Sequence, residues 1–177
     1  MTRKIFRIAA TMALASTTQV LAAVPAAQKP CMTQAELHGM VAYAMPSLMA
    51  LVVDRCKAAL PGSAVMLTRG PQLIGQLEAG RSAAYPMARA AFLKFADQGD
   101  TGALQMMQNL PETAFRPIMD GIITEKLGSS INVKNCADID HVYGTLTPLP
   151  AANFIDFVTQ IVTISAREDK KMAICPA

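Results

Sequence analysis

Cys31-Met-Thr-Gln-Ala-Glu-Leu-His-Gly-Met-Val-Ala-Tyr-Ala-Met-Pro46-Ser-Leu-Met-Ala-Leu-Val-Val-Asp-Arg-Cys56-Lys-Ala-Ala-Leu-Pro61 is the stretch on which the reading of the fold turns. Thr33 and Glu36 have the spacing of a capping box, in which the hydroxyl takes an orphan amide of the first turn and the carboxylate returns to the cap amide. Met32 and Leu37 flank that box at the spacing of a hydrophobic staple. Leu37, Met40, Val41, Ala44, Leu48, Leu51 and Val52 then recur at helical spacing, so the segment is read as a helix with an apolar face. Pro46 has no amide for the carbonyl of Ala42 and disfavours helical backbone at Met45. The helix therefore kinks at Pro46, or ends and restarts there with Pro46 in its first turn. Pro61-Gly62 closes the element.

That choice decides how the four cysteines pair. One straight helix would hold Cys31 and Cys56 over ~30 Å apart at 1.5 Å per residue, and a disulfide needs Cα atoms within ~7 Å. A reversal at Met45-Pro46-Ser47 would allow Cys31–Cys56, leaving Cys136–Cys175 to close a C-terminal helical hairpin. The apolar stripe stays nearly in phase across Pro46, which argues instead for Cys31–Cys175 with Cys56–Cys136. The proline supplies a physical reason for reversal, so the sequential pairing is favoured and the other stays open.

Outward from this stretch, the N-terminal residues read as a targeting segment. Arg3, Lys4 and Arg7 precede an apolar run from Ile8 to Ala15, and small residues follow at Ala22-Ala23. A basic start, a short apolar run and a small-residue cut site describe a secretory signal peptide. The apolar run is shorter than the ~20 residues of a bilayer span. The division is 1–23 signal peptide, 24–30 Ala/Pro tether and 31–177 a single helical domain. No transmembrane segment is expected after signal removal. Four cysteines in an exported chain read as two disulfides, and the expected location is the periplasm or the exterior.

Export changes the charge balance. The chain has 16 basic and 13 acidic residues. Without Arg3, Lys4 and Arg7 the balance is 13 against 13, so no surplus of cations remains to grip a polyanion, and no nucleic-acid partner is expected.

The remaining chain reads as short proline-punctuated helices. Ser63 caps a helix to about Arg69, Gly70-Pro71 breaks it, and a turn runs through Leu77 to Gly80. Ser82 caps Ala83 to Ala96, with Met87, Ala91, Phe92 and Phe95 on one face. Asp97 to Gly102 is a turn-rich loop, followed by a helix from Leu104 to Leu110. Pro111 starts the next helix, with Phe115, Ile118, Met119, Ile122 and Ile123 inward and Gly128 as its terminal glycine. Asn135 caps a helix carrying Ile139, Val142, Tyr143 and Leu146. After Thr147-Pro-Leu-Pro150, Phe154, Phe157, Val158, Ile161 and Val162 form the inward stripe of the last helix. The class is all-α: an irregular bundle of short proline-punctuated helices with two disulfides.

Cys56 followed by Leu60-Pro61, the Thr147-Pro-Leu-Pro150 turn before Asn153, and Ile174-Cys175-Pro176 resemble features of small exported proteins of alphaproteobacteria. That resemblance implies export. It brings no assigned activity and no site residues.

Candidate chemistry is sparse. Gly70-Pro-Gln-Leu-Ile-Gly75 lacks the lysine and hydroxyl residue of a phosphate loop. Asp97 to Gln108 has the glycine of a calcium loop but Gly99 and Gln108 where carboxylates are required. Asp138 and His141 share a helical face, the spacing of an oriented base or a metal-ligand pair. Asp138 and Asp140 point to different faces. His38 lies beside the apolar stripe of the first helix. Met45 and Met49 stand one turn apart, as thioether ligands for Cu(I) would; methionine equally fills irregular cores and adaptable grooves. No catalytic, cofactor or metal residues are assigned, and the reading leans away from an enzyme. The expected function is a non-catalytic exported helical module binding a protein or an apolar ligand. The alternatives are a small periplasmic enzyme with a site near Asp138 and His141, and Cu(I) handling through methionines.

Overall fold

The computed structural model describes residues 31–96, 101–168 and 174–175. The signal peptide and tether assigned to residues 1–30 lie outside the described residues, as does most of the Asp97–Gly102 loop. Among the described residues six α-helices follow in order: α1 (Gln34–Cys56), α2 (Val65–Ala96), α3 (Thr101–Gln108), α4 (Glu112–Gly128), α5 (Cys136–Leu146) and α6 (Ala151–Glu168). A 3-10 turn, Val133–Asn135, leads into α5. The fold is all-α with two disulfides.

Helix α1 is continuous through Pro46 and does not reverse there. Its capping box forms: the Glu36 amide donates to Thr33 Oγ1 at 3.2 Å, and the Thr33 amide donates to Glu36 Oε2 at 2.8 Å. Met32 and Leu37, the staple pair, are both buried in the main core. Buried positions surround the middle of α1, where Val41, Ala42, Tyr43, Met45, Pro46 and Met49 are all shielded. This is the central helix, with α2, α4 and α6 packed around it. A helix shielded on all sides has to be apolar all round. By length and composition α1 is apolar enough to cross a bilayer, a property the sequence reading did not credit to any segment after the signal. Its most apolar window has a mean hydropathy of 1.4, and 56% of that window is buried inside the protein. That burial marks α1 as the core helix of this fold.

The continuous α1 overturns the sequential disulfide pairing. Cys31 joins Cys175 and Cys56 joins Cys136, with Cα separations of 5.0 and 5.5 Å. Helix α5 packs chiefly on α2, whereas α6 packs on α1 and α2, and Cys136 is bonded to Cys56 at the end of α1 rather than to Cys175. The two bonds are nested. Each restricts the unfolded chain by roughly 4–5 kcal/mol in the loop-entropy account, not additively because the inner loop lies within the outer.

Helix α2 is the larger correction. It runs unbroken for 32 residues through Gly70-Pro71, Gly80, Ser82 and Pro86. Met66, Gly70, Leu73, Leu77, Ala84, Ala88 and Ala91 keep one continuous seam along it, facing α1. Pro71 and Pro86 are both exposed, so the carbonyls they leave unpaired, of Leu67 and Ser82, lie one turn back on the solvent side. Burial of the opposite face offsets the ~3 kcal/mol that each interior proline costs. An acid from another helix caps its start: Asp140 Oδ1 accepts from the Met66 amide at 2.6 Å and Oδ2 from the Val65 amide at 3.3 Å.

Further differences share a theme. Helix α3 begins at Thr101, earlier than expected, and ends at Gln108. Pro111 caps α4, and Phe115 and Met119 are buried, but Ile118 and Ile122 are exposed. Gly128 has no left-handed backbone. It is buried at the end of α4, where an added Cβ would stand 2.9 Å from Leu51 Cδ2. Asn135 makes no side-chain cap; Asn132 caps the 3-10 turn through the Lys134 amide. On α6 the buried set is Phe154, Ile155, Thr159, Thr163 and Ala166, with Val158 and Val162 partly buried. Phe157, Ile161 and Ile164 face outward at 45%, 49% and 56% exposure, and Val142 on α5 is also exposed.

Candidate functional site: an apolar groove

Small residues shape an open concavity between α1, α2 and α6. Ala35, Gly39 and Ala42 stand at i, i+4 and i+7 on α1, and Gly80, Ala83 and Ala84 at i, i+3 and i+4 on α2, with the longer Met87 one turn on. Side chains this short let two helices approach closely. At Gly39 a Cβ would overlap the Cβ of Met87 and sit 3.2 Å from the Ala88 amide nitrogen and 3.3 Å from the Ala84 carbonyl oxygen. Ala152 and Ile155, at the start of α6, close one end. These residues and His38 line an open groove of about 440 Å³. Its walls are almost wholly apolar, and Met87 stands at the rim at 45% exposure.

One polar pair borders the groove. His38 Nε2 and Asp156 Oδ1 are 3.0 Å apart, linking α1 to α6 across exposed surface. With Nε2 engaged, the other imidazole nitrogen is left for a polar group at the groove mouth. His38 was noted in the sequence only as lying beside an apolar stripe. Its partner is 118 residues away, and no local spacing signals such a pair.

A second cluster of chemically capable groups lies between α1, α2 and α4. Arg81 stacks on the Tyr43 ring at 4.5 Å and Arg116 on the Tyr85 ring at 4.0 Å, while Arg89 covers Phe115 at 4.9 Å. The cations are held from outside. Arg81 donates to Asp120 at 2.6 Å, Arg116 donates to Glu112 at 2.6 Å, and Arg89 donates to the carbonyls of Gln108 and Leu110. Burial, then the nearby Asp120 carboxylate, pushes the Tyr43 hydroxyl up to about 12. No hydrogen bond closes within normal geometry at the hydroxyls of Tyr43 or Tyr85. The arrangement is a packed wall of stacked cations and rings, with Arg81 and Arg116 paired to acids and Arg89 to backbone carbonyls.

The residues singled out in the sequence do not converge. Asp138 and His141 are both exposed on α5, and neither lines a described pocket or joins a described hydrogen bond. Asp140 points away from them to cap α2. Met45 and Met49 are buried within the main aliphatic core. Among the described residues no group of three or more His, Cys, Asp and Glu is placed to hold a metal ion. The Gly70–Gly75 segment is interior helix.

Comparison of the chain with family models, with curated proteins and with solved structures returns no match.

Proposed function

We propose that this is a non-catalytic exported binding module, acting in the periplasm or outside the cell, whose groove between α1, α2 and α6 takes a small apolar ligand. The observation that carries this reading is the groove itself: an apolar concavity of about 440 Å³ with one polar pair on its edge. Ligand sites are commonly clefts of ~300–1,000 Å³ lined by apolar side chains with a few placed polar groups. Two disulfides fit an oxidising compartment. The formally neutral mature chain, and the pairing of Arg81 and Arg116 with acids, support a partner other than nucleic acid.

A medium-chain fatty acid such as dodecanoate is a fitting probe, because it pairs an alkyl chain with one polar head. Titration calorimetry on the mature protein should show saturable binding, weakened at least tenfold by Ala83→Phe, which fills the groove from an exposed position. The helical spectrum of that variant should be unchanged. Equal binding by the variant, or no binding by the parent, would overturn the reading.

A further inference from the structure

We propose that the Cys31–Cys175 disulfide is a thiol-exchange site in the folded protein, open to attack by an external dithiol, whereas Cys56–Cys136 is closed to exchange until the core opens.

The two bonds lie in different surroundings. Cys56 is the last residue of α1 and Cys136 the first of α5, and their exposures are 0% and 1%. Both belong to the main core. An attacking thiolate needs in-line access to one sulfur of the bond, and here α5 would first have to lift from α2. Cys31 and Cys175 are partly exposed and lie outside the helices. Their neighbours are anchored, since Met32 is buried in the main core and Ile174 packs against it, but among the described residues the two segments are joined beside the bond only by a single parallel bridge between Met32 and Ile174 and one hydrogen bond of 2.9 Å from the Cys175 amide to the Met32 carbonyl.

Lys94 Nζ donates to the Cys31 carbonyl at 3.0 Å and to Glu36 Oε2 at 2.6 Å, so its charge is already paired with an acid, and access rather than charge distinguishes the two bonds. Opening this bond leaves the α1–α2 seam, the capping box and the inner disulfide in place, so a local fluctuation at Cys31 and Cys175 is enough to permit it.

In the proposed step a thiolate of the dithiol attacks one sulfur of the pair, the S–S bond breaks, and the other cysteine departs as a thiolate. The second thiol of the reagent then displaces the first cysteine from the mixed disulfide. Two electrons pass from the dithiol to the protein, giving two cysteine thiols and the cyclic oxidised reagent.

Native protein in dithiothreitol without denaturant, sampled over time, alkylated with N-ethylmaleimide and peptide-mapped, tests this. Label should appear on Cys31 and Cys175 at a rate proportional to thiolate, more than tenfold faster than on Cys56 and Cys136, with the far-ultraviolet spectrum intact. The proposal fails if all four cysteines label together, if Cys56 and Cys136 label first, or if no label appears before the helical signal collapses. The Cys31→Ser/Cys175→Ser double variant provides an equilibrium check: it should keep the parent helical spectrum at 25 °C, and loss of that spectrum would equally overturn the claim.

Discussion

The two hydrophobic clusters of this protein are built from different materials. The larger lies where α1, α2, α5 and α6 meet and consists mostly of Leu, Val, Ala and Met, with Cys56 and Cys136 inside it. The smaller joins α4 to α1 and α2 through Tyr43, Tyr85, Phe115 and Met119, with three guanidinium groups stacked on its rings. The first is adaptable in its side chains and covalently stapled. The second has no staple and depends on directional packing. A cluster rich in methionine can close around a lost atom, whereas a ring wedged between a guanidinium and a second ring leaves a defined hole.

Truncation probes that contrast most strongly. Phe115→Ala should cost about 3–5 kcal/mol in urea unfolding, and Met66→Ala about 2–3 kcal/mol. Equal costs would break the distinction between a rigid and an adaptable cluster.

Two glycines on facing helices sharpen the account of the groove. Gly39→Ala should destabilise by about 1–3 kcal/mol, since the added methyl meets backbone atoms of α2 and neighbours cannot yield. Gly80→Ala, with nothing within 4 Å of the new Cβ, should stabilise by about 0.5–1 kcal/mol as an exposed helix substitution. Thermal melts followed at 222 nm read both. Opposite signs are expected, and a shared sign would show that the seam is looser than described.

Charge removal should have smaller effects, graded by cluster. Arg81→Met, which loses both the Tyr43 stack and the Asp120 pair, should cost about 1–2 kcal/mol. Lys57→Ala breaks a pair with Asp54 on open surface and should change stability by less than about 0.5 kcal/mol. A Lys57 effect as large as that of Arg81 would remove the reason for treating the arginine wall as special.

The smallest effect concerns pH. Burial raises the Glu36 carboxyl, but the hydrogen bond from Lys94 and those from Thr33 outweigh it and hold the group below its ordinary value of 4.5. A depressed folded value means that the contribution is complete above the unfolded value and is lost as pH falls through the folded one. The melting temperature should therefore decline below about pH 4.5. Glu36→Gln should flatten that slope, and an unchanged slope would place the acid sensitivity elsewhere.

The sequence disclosed elements by their caps and hid them behind their breakers. Thr33 and Glu36 fixed the start of α1 because a capping box acts within one turn. Gly70-Pro71, Gly80 and Ser82 read as ends, yet the seam from Met66 to Ala91 keeps its phase past all of them. Phase reports burial, which outweighs propensity over a long interface. On α6 the threonines misled. Thr159 and Thr163 each donate to the carbonyl four residues back, both at 2.8 Å, so they are buried with their hydroxyls satisfied, and the buried stripe lies about one residue round the helix from the apolar one. Of the groove, only the small residues were visible. Their meaning depends on α1 and α2 facing each other, and the His38–Asp156 pair depends on where α6 lands.

Methyl-resolved NMR of protein labelled at the methionine methyls tests the central claim, that the α1–α2–α6 groove receives an apolar ligand, most directly. Dodecanoate added to the mature protein should shift the Met87 resonance in a saturable manner and leave Met66 and Met119, both sealed from solvent, in place. A titration in which Met87 stays fixed, or in which only the highly exposed Met106 responds, would contradict the account.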